Sequence, residues 1–176
     1  DALVFAVGKD ISGKAVVANL AKMPHLLIAG STGKGKSAAI HNMIISLLCK
    51  KHPAELKFAL FDTKGIEFSM YKALEHHILA VRNDGLVPSK SEDIINSLKS
   101  ICIEMDNRGE LLRNANARNI ESYNSKFCSR LLDPYKGNHY MPYIVVVVDD
   151  LGNLMFDCPK DAQRIITRIA HKAHFV

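Results

Sequence analysis

GSTGKGKS, the stretch from Gly30 to Ser37, decides the fold of this 176-residue chain. It matches the P-loop pattern: a glycine, any four residues, then glycine, lysine and serine or threonine. The glycines let the backbone curl so that successive N–H groups point at phosphate oxygens. The helix that follows aims its positive dipole end at the same place. We therefore predict that this loop binds a nucleoside triphosphate.

The residues of this loop receive separate roles from their chemistry. Lys36 can reach the terminal phosphates and is the first candidate catalytic residue, while the Ser37 hydroxyl can bind Mg2+. Backbone amides of the loop and of the first helical turn hold the other phosphate oxygens. The expected cofactor-binding residues are Thr32, Gly33, Lys34, Gly35, Lys36, Ser37 and Ala38.

A second motif follows the strongest strand signal in the chain. Residues Tyr143–Val148 form a continuous β-branched run, typical of a strand covered on both faces, and two acids follow it. A P-loop domain needs a carboxylate at the end of such a strand to hold the water shell of magnesium, and Asp149 is that candidate metal ligand. Asp150 is the second candidate catalytic residue, since it could polarise the attacking water. The alternative is a buried strand that ends in solvent at two acids.

Short apolar runs alternate with amphipathic segments along the rest of the chain. Turn residues within Leu3–Val17 suggest an initial hairpin or two loop-linked strands. The other predicted elements are strands at His25–Ala29, Lys57–Phe61 and Ile78–Val81, a short helix within Ile66–His77, and helices over Ser37–Lys50, Ser89 or Ser91 to about Ala117, Ile120–Leu132 and Asp161–Ala173. This alternation indicates an α/β fold with a mainly parallel central sheet flanked by helices.

Composition narrows the class of protein. A hydrophobic share of 48% and a charged share of 23% are typical of a globular protein, and no apolar run approaches the ~20 residues of a membrane helix. We therefore expect no membrane contact by this chain and a cytoplasmic location. The four cysteines form no CxxC pair, which disfavours zinc and fits a reducing compartment. Cys49 and Cys102 lie in apolar helical patterns and are interpreted as buried thiols.

Charged residues give weaker signals. The net charge of +5 and the pI of about 9.0 favour an acidic partner such as nucleic acid, although the basic residues are scattered. Asp62-Thr63-Lys64 follows a predicted strand, so it lies either near the nucleotide or a subunit boundary, or in a plain turn. For Arg108, Arg113 and Arg118 a solvated helix face is favoured over an arginine finger.

These motifs together resemble the motor domain of the FtsK/SpoIIIE family of bacterial DNA translocases. The resemblance runs over nearly the whole chain, and Lys51–Lys57 looks most like Bacteroidetes members. The matching stretches are Gly8–Lys14, Leu20–Leu27, the P-loop, Arg118–Ile120 with Tyr123-Asn124, and Met141–Asp149.

The resemblance implies a RecA-like domain that uses ATP and Mg2+ and forms a hexameric ring around double-stranded DNA. Such a ring moves along the duplex by hydrolysing ATP in chromosome segregation and cell division. The full-length parent is expected to carry an anchor at the bacterial inner membrane. Residues 1–176 are then a single motor domain without its C-terminal strands, since the family's next strand and its Gln-Arg-Pro sensor segment are not in the sequence.

Several residues depart from the family pattern. Asp150 stands where the family usually has glutamate, which withdraws the carboxylate by about 1 Å, and a misplacement of that size can cost ~100-fold in rate. Leu151–Leu154 replaces a more usual Phe-Ala-Asp-Leu. Thr63 stands where proline is usual, and Lys34 where a small residue is usual. We therefore expect a DNA-dependent ATPase whose hydrolysis is weak.

Two other functions remain open at this point. Related ring ATPases of secretion and conjugation systems act on protein partners. A hydrolysis-impaired paralogue that binds nucleotide without turnover would also explain Asp150.

Overall fold

The computed structural model describes residues 3–31, 33–80, 87–174 and 176. The chain divides into two compact units, one ending at His52 and one beginning at Pro53, and each is described by itself. The expectation of a single motor domain over residues 1–176 stays a prediction. Among the described residues, none of the helices combines the length and apolar character that a bilayer crossing requires.

The first unit opens with the predicted hairpin. Strands β1 (Val4–Lys9) and β2 (Ala15–Asn19) pair antiparallel. Asp10 shapes the turn, because its Oδ1 accepts hydrogen bonds from the Ser12 amide, the Ser12 hydroxyl and the Lys14 amide. The Ser12 hydroxyl bond is the largest of the effects that lower the pKa of Asp10. A turn closed by a short polar side chain explains why this hairpin was predictable from sequence.

The predicted helix after the P-loop is confirmed as α1 (Lys36–Leu48). Its core face carries Met43, Ile44 and Leu47, at the three- and four-residue spacings of a helix stripe. The Asn42 side chain donates a hydrogen bond to the first strand, with Nδ2 lying 2.7 Å from the Ala6 carbonyl oxygen. Helix and hairpin are therefore joined by polar as well as apolar contacts.

Two predictions about the first unit are wrong. His25–Ala29 is not a buried strand: its described residues belong to neither sheet, and the Leu27 side chain is 78% exposed. A short apolar run becomes a strand only where a ladder partner exists, and the hairpin strands pair with each other. Cys49 is exposed because the helix ends at Leu48, whereas Cys102 is buried as predicted.

The second unit contains the predicted parallel pair of strands. β3 (Leu56–Asp62) and β4 (Tyr143–Asp149) run in register, so that Asp62 is the partner of Asp149 at the carboxyl edge. The strand predicted at residues 78–81 is reduced to one parallel bridge between Phe58 and Leu79, and Val81 lies outside the described residues. A mixed α/β fold with a parallel sheet is thereby confirmed.

Helices surround this strand pair. The described helices of the second unit are α2 (Glu75–Ile78), α3 (Ser91–Asn114), α4 (Ile120–Cys128), α5 (Leu151–Asp157) and α6 (Pro159–Lys172), with 3₁₀ turns at Ser69–Leu74 and Pro134–Lys136. Helix α3 begins at Ser91 and continues through Gly109, and its N-cap is Lys90, which makes no side-chain capping hydrogen bond. The core joins Phe61, Ile94, Leu98, Leu154 and Ile165.

Two buried polar side chains fix the start of β4. The Arg108 guanidinium donates to the Pro142 carbonyl at 2.8 Å and to the Glu104 carboxylate at 2.7 Å. Asn124 donates to the Met141 carbonyl at 2.8 Å and accepts from the Met141 amide at 2.9 Å. The expectation of a solvated Arg108 is therefore wrong, since this side chain satisfies a backbone carbonyl in the interior.

Candidate functional site

The P-loop of the first unit is built from glycines in a conformation that other residues rarely adopt. Gly33 has a φ of 75° and Gly35 a φ of 87°, both in the left-handed region. The Lys34 amide donates to the Ser31 carbonyl at 3.3 Å and closes the turn. Gly35 is the N-cap of α1 and has no side chain that could cap the helix. No side chain caps the positive end of α1, which is the kind of place where an anion binds.

Lys36 turns back over this loop. Its ammonium nitrogen donates to the Gly30 carbonyl oxygen at 2.8 Å and to the Ser31 carbonyl oxygen at 3.2 Å. These carbonyls hold the ammonium beside the curled backbone, where a phosphate would be its stronger, charged acceptor. The local geometry supports the role expected for Lys36.

The other residues predicted to bind the cofactor differ in solvent exposure, and one of them lies outside the described residues. Gly33, Lys34 and Ala38 are exposed, and Ser37 is half-buried at the first turn of α1. Thr32 lies outside the described residues. The roles of all these residues toward nucleotide and metal stay predictions.

In the second unit, polar side chains collect at the carboxyl ends of β3 and β4. We call Asp62, Lys64, Asp149 and Asp150 the acidic edge. Asp62 is 1% exposed, and its carboxylate accepts from the amides of Lys64 at 3.0 Å, Gly65 at 2.9 Å and Phe68 at 3.0 Å. These hydrogen bonds hold the loop after β3 in shape. The interpretation of Asp62 as part of a turn is therefore favoured over a ligand site. The Thr63 Oγ1 is buried without a hydrogen-bond partner among the described residues.

Asp149 differs from its partner Asp62. Its carboxylate is half-buried, and the influences on it are burial and neighbouring charges, with no hydrogen bond from the described residues among them. Burial raises the pKa of Asp149, and the neighbouring carboxylates of Asp62, Glu67 and Asp150 raise it further, against the opposing charge of Lys64. A cation at this position would relieve the repulsion between these acids.

The donor set fits magnesium rather than a metal held by protein alone. Within residues 3–31, 33–80, 87–174 and 176, no group of three or more histidine, cysteine, aspartate or glutamate side chains is arranged to hold a metal ion. Magnesium usually takes one or two carboxylates and completes its shell with water and phosphate oxygens. One available carboxylate at Asp149 meets that requirement.

Asp150 is held tightly by its neighbours. Its backbone is left-handed, with a φ of 51°, and it is the N-cap of α5. The Asn153 side-chain amide donates to its carboxylate at 3.1 Å, and the Lys64 ammonium lies 2.8 Å from the same oxygen. The hydrogen bond between the Lys64 ammonium and Asp150, together with the negative charge of Asp150, raises the pKa of Lys64. The Asp150 carboxylate is therefore held by an ion pair with Lys64 and a hydrogen bond from Asn153.

The sequence alone places Lys64 either near a ligand site or in a plain turn. The signal for its pairing was its position two residues after a parallel strand, because the ends of adjacent parallel strands meet at one edge. Arg113 and Arg118 are exposed, as predicted for a solvated helix face, and the Arg113 guanidinium lies 3.9 Å from the Glu110 carboxylate on its own helix.

Comparisons with known proteins agree with this reading of the motifs. The family model described as the FtsK/SpoIIIE family matches residues 1–174. The chain is 43% identical over 171 residues to a DNA translocase FtsK of Clostridium tetani, covering 97% of the chain and 22% of that protein. It is 40% identical over 178 residues to a DNA translocase FtsK of Chlorobaculum tepidum, covering 99% of the chain and 21% of that protein. The chain thus spans about a fifth of the length of these relatives.

Solved structures give the same fold. The conjugation coupling protein TcpA of pCW3, determined with ATPgS, superposes with a TM-score of 0.76 at 25% identity, over 99% of the chain and 46% of TcpA. The cytoplasmic domain of the type VII secretion ATPase EccC of Thermomonospora curvata superposes with a TM-score of 0.77 at 22% identity, over 99% of the chain and 20% of EccC. These likenesses confirm the P-loop ATPase fold.

Proposed function

Since the chain belongs to the FtsK/SpoIIIE family, we propose that it is the ATP-binding motor domain of a ring-forming translocase that moves along double-stranded DNA. The observation that carries this proposal is the P-loop, with left-handed Gly33 and Gly35 and the Lys36 ammonium folded over the loop. Chromosome segregation and cell division are the proposed setting, because the relatives matched along this chain are named DNA translocases. This work on chromosomal DNA would be done in the cytoplasm, with any inner-membrane anchor elsewhere in the parent protein.

The proposed reaction is hydrolysis of ATP. Amides of Gly33, Lys34 and Gly35 and the N-terminus of α1 bind the phosphate oxygens, and Lys36 exchanges its two carbonyl acceptors for the charged terminal phosphates. The remaining predicted ligands of the nucleotide, Thr32 and Ala38, flank this core of the loop.

Magnesium is the proposed second cofactor. The Ser37 hydroxyl and the Asp149 carboxylate are the residues that would hold it, directly or through its water shell. When bound, it neutralises charge that develops on the transferred phosphoryl oxygens. Asp150 is the proposed acid that orients the attacking water, a role that needs the fixed carboxylate position described above.

DNA-stimulated turnover tests the proposal. ATP hydrolysis by the full chain should rise when linear duplex DNA is added at low salt, because phosphate contacts strengthen as salt falls. Lys36→Ala should abolish it, whereas the matched control Lys50→Ala, at an exposed lysine after α1, should retain it. If duplex DNA does not change the rate of ATP hydrolysis and the protein binds no DNA at low salt, the assignment to DNA translocation would be overturned.

A conjugation-type function has one observation in its favour. TcpA, a conjugation coupling protein, shares the fold at 25% identity, so a ring ATPase acting with protein partners is the second candidate. Purification of the chain from cells separates the two: bound nucleic acid supports the translocase, and a stoichiometric partner protein without nucleic acid supports the coupling function.

A hydrolysis-impaired paralogue is the third candidate, and it rests on Asp150. If the short carboxylate limits turnover, Asp150→Glu should raise the rate of ATP hydrolysis, by up to about 100-fold when the misplacement is about 1 Å. An unchanged or lower rate in the glutamate variant would show that this position does not limit turnover.

A further inference from the structure

We propose that Lys64 is a positioning residue that fixes the carboxylate of Asp150 at the acidic edge. The inference rests on the proposed function, in which Asp150 orients the attacking water. Lys64 itself touches neither water nor phosphate in this role and acts through Asp150.

The loop that carries Lys64 is built to return it to the edge. Asp62 is buried and binds the amides of Lys64, Gly65 and Phe68 through its carboxylate. Gly65 takes a left-handed φ of 69°, which turns the chain immediately after Lys64. The Asp62 amide is in turn held by the Pro88 carbonyl at 3.2 Å. The backbone of Lys64 is therefore fixed by a buried anchor, and its ammonium reaches back across the edge.

Lys64 and Asn153 both contact the Asp150 carboxylate. Both reach the Oδ2 atom, the ammonium at 2.8 Å and the amide at 3.1 Å. The Asn153 backbone amide adds a longer contact of 3.4 Å to the other oxygen, Oδ1. A carboxylate held this way has little freedom to move toward or away from a reacting atom.

The charge arrangement explains why a lysine is suited to this place. Asp62, Asp149 and Asp150 lie at the ends of two adjacent strands, and Glu67 adds its charge to theirs. Without a cation, repulsion would push the partly exposed carboxylate of Asp150 outward into water. Lys64 offsets this repulsion at Asp150, the acid proposed to orient the attacking water.

Stability alone gives a poor account of the Lys64 pair. The Lys64 side chain is 55% exposed and that of Asp150 is 30% exposed, and ion pairs in such solvated positions add little to folding. Removal of the ammonium should therefore leave the fold intact and change the position of Asp150.

The test compares Lys64→Met, which keeps the length of the side chain, with Lys64→Arg and with Lys72→Met. Lys72 is an exposed lysine in the nearby 3₁₀ turn and serves as the matched control. In the full chain, Lys64→Met should lower kcat for ATP about 10-fold or more, with KM and the melting temperature nearly unchanged. Lys64→Arg should recover part of kcat, and Lys72→Met should match the unaltered chain.

Two further measurements separate positioning from other roles. In an Asp150→Asn background, Lys64→Met should cause no additional loss of kcat, because Lys64 acts only through Asp150. In the nucleotide-free protein, the NMR resonances of the Asn153 side-chain amide should shift in Lys64→Met and stay in place in Lys72→Met.

The outcomes distinguish failure of this inference from failure of the proposed function. If the unaltered chain hydrolyses no ATP but the Asn153 resonances respond, the positioning contact stands and the proposed function fails. An unchanged kcat together with unchanged Asn153 resonances would overturn the inference, as would equal losses of kcat with and without Asp150.

Discussion

In the first unit the described P-loop residues before Lys36 are exposed, and the loop takes its shape from left-handed Gly33 and Gly35. In the second unit the acidic edge takes its shape from Asp62, a buried carboxylate bound to three backbone amides. The P-loop takes its shape from the conformational freedom of glycine, which leaves backbone amides available to a ligand. At the acidic edge, a side-chain carboxylate accepts hydrogen bonds from the backbone and holds the loop in place.

This contrast follows from the ligands that the two regions are proposed to bind. Phosphate oxygens need many N–H donors, which glycine-rich backbone supplies with little steric obstruction. Magnesium and an attacking water need oxygen atoms at defined positions, which requires anchored carboxylates. Substitutions should therefore act differently in the two regions, through conformational strain in the first and through lost hydrogen bonds in the second.

The largest effect on stability is expected at Asp62. Asp62→Ala removes the acceptor of three amides, and the Phe68 amide bond is buried. An unmet buried donor such as the Phe68 amide costs ~1–3 kcal/mol, whereas the part-buried amides of Lys64 and Gly65 can turn to water or to the Asp62 carbonyl, so the free energy of unfolding should fall by about 2–4 kcal/mol in urea denaturation.

The matched control for Asp62 is Asp133→Ala. Asp133 also accepts a backbone hydrogen bond, from the Tyr135 amide at 3.0 Å, but it is exposed at a 3₁₀ turn. Its loss should cost about 1 kcal/mol or less. Equal losses for the two variants would show that the burial of Asp62 adds nothing to the anchoring of the loop.

An intermediate effect is expected at Gly35. Gly35→Ala puts a Cβ on a residue with a φ of 87°, where no atom lies within 4 Å, so the cost is conformational rather than steric. A left-handed alanine costs about 1–2 kcal/mol, and urea denaturation should show that loss together with weaker nucleotide binding.

Gly109→Ala is the matched control for Gly35. Gly109 lies inside α3 and has no atom within 4 Å of the added Cβ. Alanine should stabilise the helix there by about 0.5–1 kcal/mol. A stability gain at Gly35 as well would contradict the view that the P-loop depends on left-handed backbone.

The smallest effect is expected at Asp149, and it has the opposite sign. Burial and neighbouring carboxylates raise the pKa of Asp149 above its ordinary 3.8, so the folded state disfavours the charged form. Stability from this group is complete below pH 3.8 and falls as the pH rises toward the folded pKa. Asp149→Asn should therefore melt at a higher temperature than the unaltered chain at neutral pH, and the difference should shrink on acidification.

Asp106→Asn supplies the reverse case in the same assay. Hydrogen bonds from Lys172 and Arg168 lower the pKa of Asp106, so its stabilising effect is present at neutral pH and is lost as the pH falls. That variant should melt below the unaltered chain at neutral pH. A lower melting temperature for both variants would contradict the account of charge crowding at the acidic edge.

Periodicity and turn chemistry were sufficient to predict much of the fold. The helix after the P-loop, the long helix α3 and the strands β3 and β4 each carry a local pattern that tertiary context did not override. The meeting of Asp62 and Asp149 at one edge followed from the parallel arrangement of their strands.

The missed features depend on partners that are distant in sequence. Arg108 lies three residues after Met105 and four before Leu112, inside the apolar stripe of α3, and that spacing was an available signal for its burial. Its acceptor, the Pro142 carbonyl, cannot be read from the helix alone. The short helix α5 was missed because Gly152 and Asn153 are weak helix formers, and its N-cap at Asp150 became evident only from the structure.

Equilibrium binding of ATP with Mg2+ tests the central claim, that the P-loop is the nucleotide site. Titration calorimetry should give measurable affinity for the unaltered chain and for Lys50→Ala. Lys36→Ala removes a charge-assisted hydrogen bond worth ~1.5–3 kcal/mol, so its affinity should be about 10- to 100-fold weaker. Equal affinity of Lys36→Ala and the unaltered chain would contradict the account.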